Sequence, residues 1–599
     1  MILRSQQFDD VYFSADDGMM ETAHVFLQGN RLPDAWKGRK NISIGETGFG
    51  TGLNLLCAWK LFEETSSYDQ RLDFISVEKY PLAVHEICKA LEPWSDVLGT
   101  YMDRYLGTYP LRIAGIHKIH LTNRVSLTLW IGDIADVMPG WDGFQIDAWF
   151  LDGFTPAKNP QMWTDEVFAH MARLSHVETT YATFTAAGFV RRGLERVGFT
   201  VEKTAGFGRK RDMIRGRFTR HHRIPHKKQP ENPLIIGGGL AGTAIAHAFA
   251  RYGVKPVMLE AGSQLAYGAS GGEYGMIDPK LTALPTPQSD YYTNAYAYAL
   301  RVLQDMACSC PDIDFRSSGG VHLQLDDDKK RRFQGYRDNL GWHADHIRLV
   351  DAAEASDITG VSLVLPALYY PDAASVSPRR LSRAMGGYAN HRLNSSVARI
   401  EKINGGWLVY LQDRTFFETD ALYMANGYAI RELLAHDMTL CSIRGQVTYI
   451  KSNNNINRLK SNLCFGGYML PTMDQHNHIL GSSFQPWCDE TSVNDNDHAE
   501  NIDRFNRALG REILNQSDVV GGWMGFRTSN RDRFPCVGQI DKNLFVSTAH
   551  ASHGIISSLL AADILVTQSC GGIIPASKSI LLALNPLRFA QDHHRLASS

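Results

Sequence analysis

The chain has 599 residues, of which 44% are hydrophobic and 21% charged, with a formal net charge of -2 and nine cysteines. That length holds several domain-sized units, and the near-neutral balance excludes a chain-wide polyanion-binding surface, so a nucleic-acid partner must rest on a local patch. The cysteines, only Cys308 and Cys310 of which lie close together, form neither a disulfide framework nor a zinc pattern; this suggests reduced thiols in a cytoplasmic enzyme without a metal.

The first ten residues, Met1 to Asp10, carry acids where a secretion signal needs an apolar core. Asn41 to Gly45 reads as a short strand running into Glu46-Thr-Gly48-Phe-Gly50-Thr-Gly52, after which Leu53 to Glu63 has apolar residues at helical spacing. Glycines at every second residue, with an acid just before them, do not suit a phosphate. They suit a ligand with a ribose, an amino-acid tail and a positive sulfonium, that is, S-adenosylmethionine. Three further strands, Leu72 to Glu78, Val125 to Ile131 and Gln145 to Leu151, end at Glu78, Asp133 and Asp152. In open α/β sheets ligands sit at the carboxyl ends of strands, so Glu46, Glu78, Asp133 and Asp152 are expected to converge on one crevice. Tyr181 to Phe184, Phe199 to Thr204 and Met213 to Phe218 complete a seven-strand pattern that closes on a hairpin.

Two phrases, Glu46 to Leu55 and Asp147-Ala-Trp-Phe-Leu-Asp-Gly-Phe-Thr-Pro-Ala-Lys-Asn-Pro-Gln-Met-Trp163, resemble the methyltransferase half of the bifunctional MnmC family, as does Gly206 to Met213. The resemblance implies a class I, Rossmann-like methyltransferase over residues 1–218. It places the cofactor on Gly48, Gly50, Gly52 and Glu78, and Asp152 beside the transferred methyl. A carboxylate there could orient an alkylamine and accept the proton that blocks its attack on a sulfonium.

From Lys203 to Lys228 there are ten Lys/Arg against one acid, Asp212, with three histidines besides. Pro225 and Pro230 mark a linker over residues 219–232. The run continues the hairpin at the edge of the expected crevice, so Arg209, Lys210 and Arg211 are candidates for contact with RNA phosphates.

Pro233-Leu-Ile-Ile-Gly237-Gly-Gly239-Leu-Ala-Gly242 then opens a second strand, turn and helix, and Lys255 to Glu260 is the next strand, ending in an acid. Gly237, Gly239, Gly242 and Glu260 together form a dinucleotide-binding fingerprint. The small-residue loop from Gly268 through Ser270 to Gly275 is suited to passing close to a flavin ring. Tyr423 to Gly427 reads as the last strand of this nucleotide sheet, and alternating segments around Tyr468 and Phe484 as a mixed sheet.

This ordering resembles the glycine oxidase and D-amino-acid oxidase class, and more closely the oxidase half of the MnmC family. It implies an α/β flavoprotein over residues 233–599, an FAD-binding Rossmann domain with an inserted mixed-sheet substrate domain. FAD would lie on the fingerprint, with the helix from Gly554 pointing at the ring. Arg527 matches the arginine that binds the substrate carboxylate in this class, and Tyr468 is a second candidate in the site. Gly272, Asp278 and His553 depart from the family's pattern. The family removes a carboxymethyl group from wobble carboxymethylaminomethyl-2-thiouridine of tRNA as glyoxylate and methylates the aminomethyl product. Two other readings stay open at this point: an oxidase and methyltransferase of free amines, and a tRNA-binding methyltransferase whose oxidase half is idle.

Overall fold

Strand β1 (Asn41–Glu46), the glycine turn after it and helix α1 (Leu53–Thr65) are the centre of the first unit. The computed structural model describes residues 4–5, 7, 10–12, 17–208, 210–220, 227–436, 438–472, 474 and 476–589. The chain divides into one unit of residues 1–229 with 570–578 and another of residues 230–569 with 579–599.

The first unit is built on β1, β2 (Arg71–Glu78), β3 (Gly115–His120), β4 (Val125–Ile131), β5 (Ile146–Phe150), β6 (Ser175–Thr183), β7 (Glu202–Ala205) and β8 (Asp212–Arg217). They form one eight-stranded sheet in the order β3-β4-β2-β1-β5-β6-β8-β7. The five central strands are parallel. β3 is antiparallel to β4, and β7 and β8 form the hairpin at the other edge. The sequence pattern had suggested seven strands. The eighth, β3, reads Gly-Ile-His-Lys-Ile-His, whose charged and ring residues mask its inward face. β1, β2 and β4 are buried along most of their length, as in a parallel sheet covered on both faces. On α1, Leu55, Leu56, Ala58 and Phe62 are fully buried, and each large apolar side chain contributes roughly 1.5–3 kcal/mol.

In the second unit, β9 (Pro233–Ile236), α2 (Leu240–Ala250) and β10 (Val257–Leu259) form the expected strand-turn-helix-strand. They belong to a six-stranded sheet with β13 (Asn390–Arg392), β14 (Ala421–Met424), β20 (Cys536–Asp541) and β21 (Leu544–Thr548), in the order β13-β10-β9-β14-β21-β20. β14 is therefore central, not the last strand: it pairs with β9 on one side and β21 on the other. Helix α3 (Gly554–Cys570) follows β21.

The inserted part is a nine-stranded mixed sheet that includes β12 (Gly320–Leu323), β15 (Cys441–Lys451), β16 (Asn462–Cys464), β17 (Tyr468–Met469), β18 (Asn477–Gly481) and β19 (Val519–Ser529). β19 runs antiparallel to β15 along most of its length. A short strand, β11 (Gly275–Ile277), belongs to a separate three-stranded sheet. Among the described residues, no helix is long and apolar enough to cross a membrane.

Candidate active sites

The turn after β1 places Gly50 and Gly52 in the left-handed region, at φ +56° and +80°. Gly50 N donates to Glu78 Oε2 at 2.9 Å, and Tyr80 N donates to Glu78 Oε1 at 2.8 Å. Both carboxylate oxygens at the end of β2 are thus fixed by backbone, with lone pairs left for ribose hydroxyls. Burial pushes this carboxyl up, and the backbone donors oppose it. Asp133, after β4, accepts from Ala135 N at 3.0 Å and from Lys79 Nζ at 2.7 Å. Burial works against ionisation there, but the ammonium and the N–H hold the carboxyl below its ordinary value.

Asp152, just after β5, accepts from Gly153 N at 2.8 Å and from Asn54 Nδ2 at 2.7 Å. Burial, reinforced by the Glu21 charge, pushes its carboxyl up to about 6. Gly48 is needed for this closeness: a Cβ there would lie 3.1 Å from Asp152 O. Gly48, Gly50, Glu78, Asp133, Asp152 and Lys210 all line one cavity of about 330 Å³. Tyr12, Phe154, Phe184 and Phe207 give it an aromatic wall.

Glu46 is a correction to the expected crevice. Its side chain is 0% exposed, lies behind the cavity wall and accepts from Asn54 Nδ2 at 2.8 Å and Ser76 Oγ at 2.7 Å. Burial, then the nearby Asp152 charge, raises its carboxyl well above the usual range. Glu46 therefore fixes Asn54 and does not face a ligand. Gly52 is also outside the wall; it caps α1, where a Cβ would meet Tyr105 Oη at 2.7 Å.

Lys210 stands 4.1 Å over the Phe184 ring and 2.9 Å from Glu21 Oε1. Arg211 is exposed at the hairpin, and Arg209 lies outside the described residues, as do residues 221–226. The basic run is less positive than its composition, because Lys203 pairs with Asp212 at 2.8 Å and Arg215 with Glu202 at 2.9 Å.

The second unit repeats the acid geometry. Gly238 N donates to Glu260 Oε2 at 2.7 Å and Gly262 N to Glu260 Oε1 at 2.6 Å. Gly237 takes φ +107°, and a Cβ on Gly242 would lie 1.9 Å from Gly237 O, so α2 packs directly on the turn. Gly242 is thus structural and does not line the cavity. Ser270 Oγ accepts from Leu240 N at 2.9 Å, which ties the flavin-side loop to the first turn of α2. Gly237, Gly239, Glu260, Ser270 and Gly554 line a cavity of about 1230 Å³. The free N–H groups of a helix start, the close backbone and the fixed acid together fit a dinucleotide.

Arg527 and Tyr468 line the same cavity. Arg527 Nη2 donates to Ser482 Oγ at 2.7 Å, and the guanidinium packs against Gly445, where a Cβ would fall 2.6 Å from Arg527 Cζ. Beside Gly272 an added Cβ would meet the Trp523 indole at 3.4 Å, ordinary van der Waals contact, so this position of the cavity wall has room for a side-chain carbon. Burial, then Lys280 and Arg527, pushes the His553 ring down to about 3, leaving it neutral. Sequence reasoning missed Asn54, Ser76, Ser482 and Trp523. None belongs to a charge pattern; the fold alone brings Asn54, Ser482 and Trp523 to a cavity wall and sets Ser76 behind one, against Glu46.

The two cavities, each at the carboxyl ends of a doubly wound sheet, define an S-adenosylmethionine-dependent methyltransferase joined to an FAD-dependent oxidoreductase. Residues 98–219 match the family model of an S-adenosyl-L-methionine-dependent methyltransferase, and residues 234–568 that of an FAD dependent oxidoreductase. The chain is 36% identical to the tRNA 5-methylaminomethyl-2-thiouridine biosynthesis bifunctional protein MnmC of Nitrosospira multiformis, over 98% of this chain and 97% of that one. It is 35% identical to the protein of the same name from Idiomarina loihiensis, with the same coverage. The chain belongs to the MnmC family. Glycine oxidase from Geobacillus kaustophilus (TM-score 0.51, 18% identity, 60% of this chain and 99% of that one) shares the fold of the second unit. So does L-proline dehydrogenase from P. horikoshii (TM-score 0.52, 14% identity, 62% and 99%).

Proposed function

We propose that the chain modifies the wobble uridine of tRNA in two steps. The second unit removes the carboxymethyl group of carboxymethylaminomethyl-2-thiouridine as glyoxylate, and the first methylates the resulting amine to 5-methylaminomethyl-2-thiouridine. The observation that carries this reading is Asp152, a buried carboxyl in the wall of the methyltransferase cavity, with Lys210 and an aromatic wall in the same cavity. When bound, FAD would take up the electrons of a C–N oxidation, and S-adenosylmethionine would supply a methyl group.

Glu78 and Asp133 would hold the ribose and adenine of one cofactor, and Glu260 the ribose of the other, with Gly237 and Gly239 against its pyrophosphate. Asp152 Oδ accepts the proton from the aminomethyl nitrogen, freeing the lone pair for attack. Arg527 offers a two-pronged donor set to the carboxylate of the substrate arm. Lys210 and Arg211 serve the phosphates, and the aromatic wall takes a base that leaves its stack. Such a protein works in the cytoplasm, where tRNA is modified.

The test is mass analysis of wobble nucleosides from carboxymethylaminomethyl tRNA incubated with the protein. Aminomethyl uridine without S-adenosylmethionine and methylaminomethyl uridine with it are expected. An unchanged nucleoside, with supplied aminomethyl tRNA still methylated, would leave the oxidase half idle.

A further inference from the structure

The larger cavity contains a polar pair that neither the nucleotide fingerprint nor Arg527 accounts for. Asp278 directly follows β11 and His322 lies on β12, and His322 Nε2 stands 3.6 Å from Asp278 Oδ2. Both line the cavity wall together with Arg527, Tyr468 and His553. His322 Nε2 is buried and has no hydrogen-bond partner; its ring is held edge-on to Tyr370, with centroids 5.1 Å apart. His322 is thus a close polar neighbour of the Asp278 carboxyl, at a distance beyond a direct hydrogen bond. The charges of both Arg527 and Asp278 act on Tyr468, and all three line the one cavity.

A buried carboxyl short of donors is costly unless a partner arrives. Burial pushes Asp278 up to about 7. Burial, with Lys329 adding, pushes His322 down to about 4, so the ring is neutral. His553 is neutral as well, and burial raises Tyr468 and the Cys464 thiol. Burial lowers Arg527, yet its guanidinium remains a cation. Asp278 is thus the group of this wall that changes charge near neutrality.

We propose that Asp278, steadied by His322, receives the substrate's amine nitrogen as an ammonium and accepts its proton, while Arg527 holds the carboxylate of the same arm. The inference rests on the carboxymethylamine reading above. One N–H bond of the ammonium breaks, its electron pair stays on nitrogen, and the proton passes to a carboxylate oxygen of Asp278. The neutral amine left behind is the form whose adjacent C–H bond can be oxidised. An amine between an acid and a guanidinium also explains selection for a glycine-like arm over a plain carboxylic acid.

The test uses the full chain with FAD and two probes, N-methylglycine and methoxyacetate, which differ in an amine against an ether oxygen. Methoxyacetate binding is read from the flavin absorbance; N-methylglycine binding is read from the concentration dependence of anaerobic flavin reduction. Asp278→Asn is expected to weaken N-methylglycine at least ~10-fold and, at pH 6, where Asp278 of the free protein is protonated, to leave methoxyacetate within about twofold. In the unmutated protein, methoxyacetate should bind roughly tenfold more weakly at pH 8 than at pH 6, because Asp278 ionises and repels the anion, and this slope should vanish in the variant. The unmutated pH profile alone decides the matter if Asp278→Asn does not fold. A flat profile, or equal loss of both probes, overturns the proposal. If neither probe perturbs the flavin of the unmutated protein, the carboxylate site at Arg527 fails, and the proposal fails with it.

Discussion

Asn54 donates to Asp152 Oδ2 at 2.7 Å, and the same amide nitrogen donates to Glu46 Oε1 at 2.8 Å, so one side chain from α1 ties the acid in the cavity wall to the acid buried behind it. The glycine turn delivers Asn54 to this position at the second residue of α1. Its amide favours the ionised form of Asp152, against a burial effect that favours the protonated one. Asn54→Ala should therefore raise the Asp152 pKa, move the pH midpoint of methyl transfer upward and, for a rise of about one unit, lower the rate at pH 7 by about twofold and at pH 6 by about fivefold. Single-turnover methylation across pH checks this; a lowered rate with an unmoved midpoint would leave Asn54 a purely structural residue.

In the unmutated protein, the proton acceptor must be deprotonated to work. Asp152 sits near 6, so methyl transfer should be weak at pH 5, rise through about pH 6 and level off above pH 7. The rise is in the direction of ionisation, since the carboxylate is the active form. Asp152→Asn should remove the rise and lower the rate by roughly 10²–10⁴. A profile that keeps its midpoint in that variant would assign the titration to another group.

Arg527 depends on an empty position beneath it. A Cβ at Gly445 would fall within 2.7 Å of three guanidinium atoms, so Gly445→Ala must displace the fork without touching the substrate. Both Gly445→Ala and Arg527→Lys should raise the KM of the oxidase for carboxymethylaminomethyl tRNA by about 10–100-fold, since a displaced or single-pronged cation loses the paired hydrogen bonds. Methylation of supplied aminomethyl tRNA should be unchanged in both, and the two half-reactions assayed separately give the answer.

The parts of these sites legible in the sequence are those that parallel-sheet geometry forces. Glu78 and Glu260 end strands that precede a crossing, and each accepts from a glycine-turn N–H and from the N–H two residues on. Glu46 also ends a strand, yet it points inward to Ser76 and Asn54; strand position fixes the level of a side chain but not whether helix packing covers it. Ser482 and Trp523 come from the inserted sheet, where alternation gives the face but not which wall it meets. Asp278 and His322 meet across two different sheets, a relation no local pattern contains.

The surroundings of His553 are poor in acids. Its ring is depressed by burial first and then by Lys280, Arg527 and His322. His553→Arg would add a third cation to Lys280 and Arg527 with no carboxylate beside it, at a cost on the order of 3 kcal/mol in the cofactor-free protein. The thermal midpoint of that form should fall, and FAD should recover part of it because the ring carbonyls accept hydrogen bonds from a cation and the pyrophosphate brings negative charge into the cavity. An unchanged midpoint would show that the cavity has water enough to solvate the guanidinium.

Lys210 has two neighbours that pull it in different directions. Glu21 neutralises it, at 2.9 Å, while the Phe184 ring face, at 4.1 Å, is compatible with a cation that is also free to meet a phosphate. If its role is phosphate contact, Lys210→Ala should weaken tRNA binding and reduce the slope of log affinity against log salt by about 1, with S-adenosylmethionine affinity kept within about twofold. If instead Lys210 only closes the cavity over Glu21, the variant removes the ammonium beside Glu21 and raises the Asp152 pKa further, because the Lys210 charge lowers it and the Glu21 charge raises it. The salt slope would then be unchanged, and the methylation midpoint would move up. Filter binding of tRNA at a series of salt concentrations, with the methylation pH profile beside it, separates a contact made to RNA from one made to the chain's own acid.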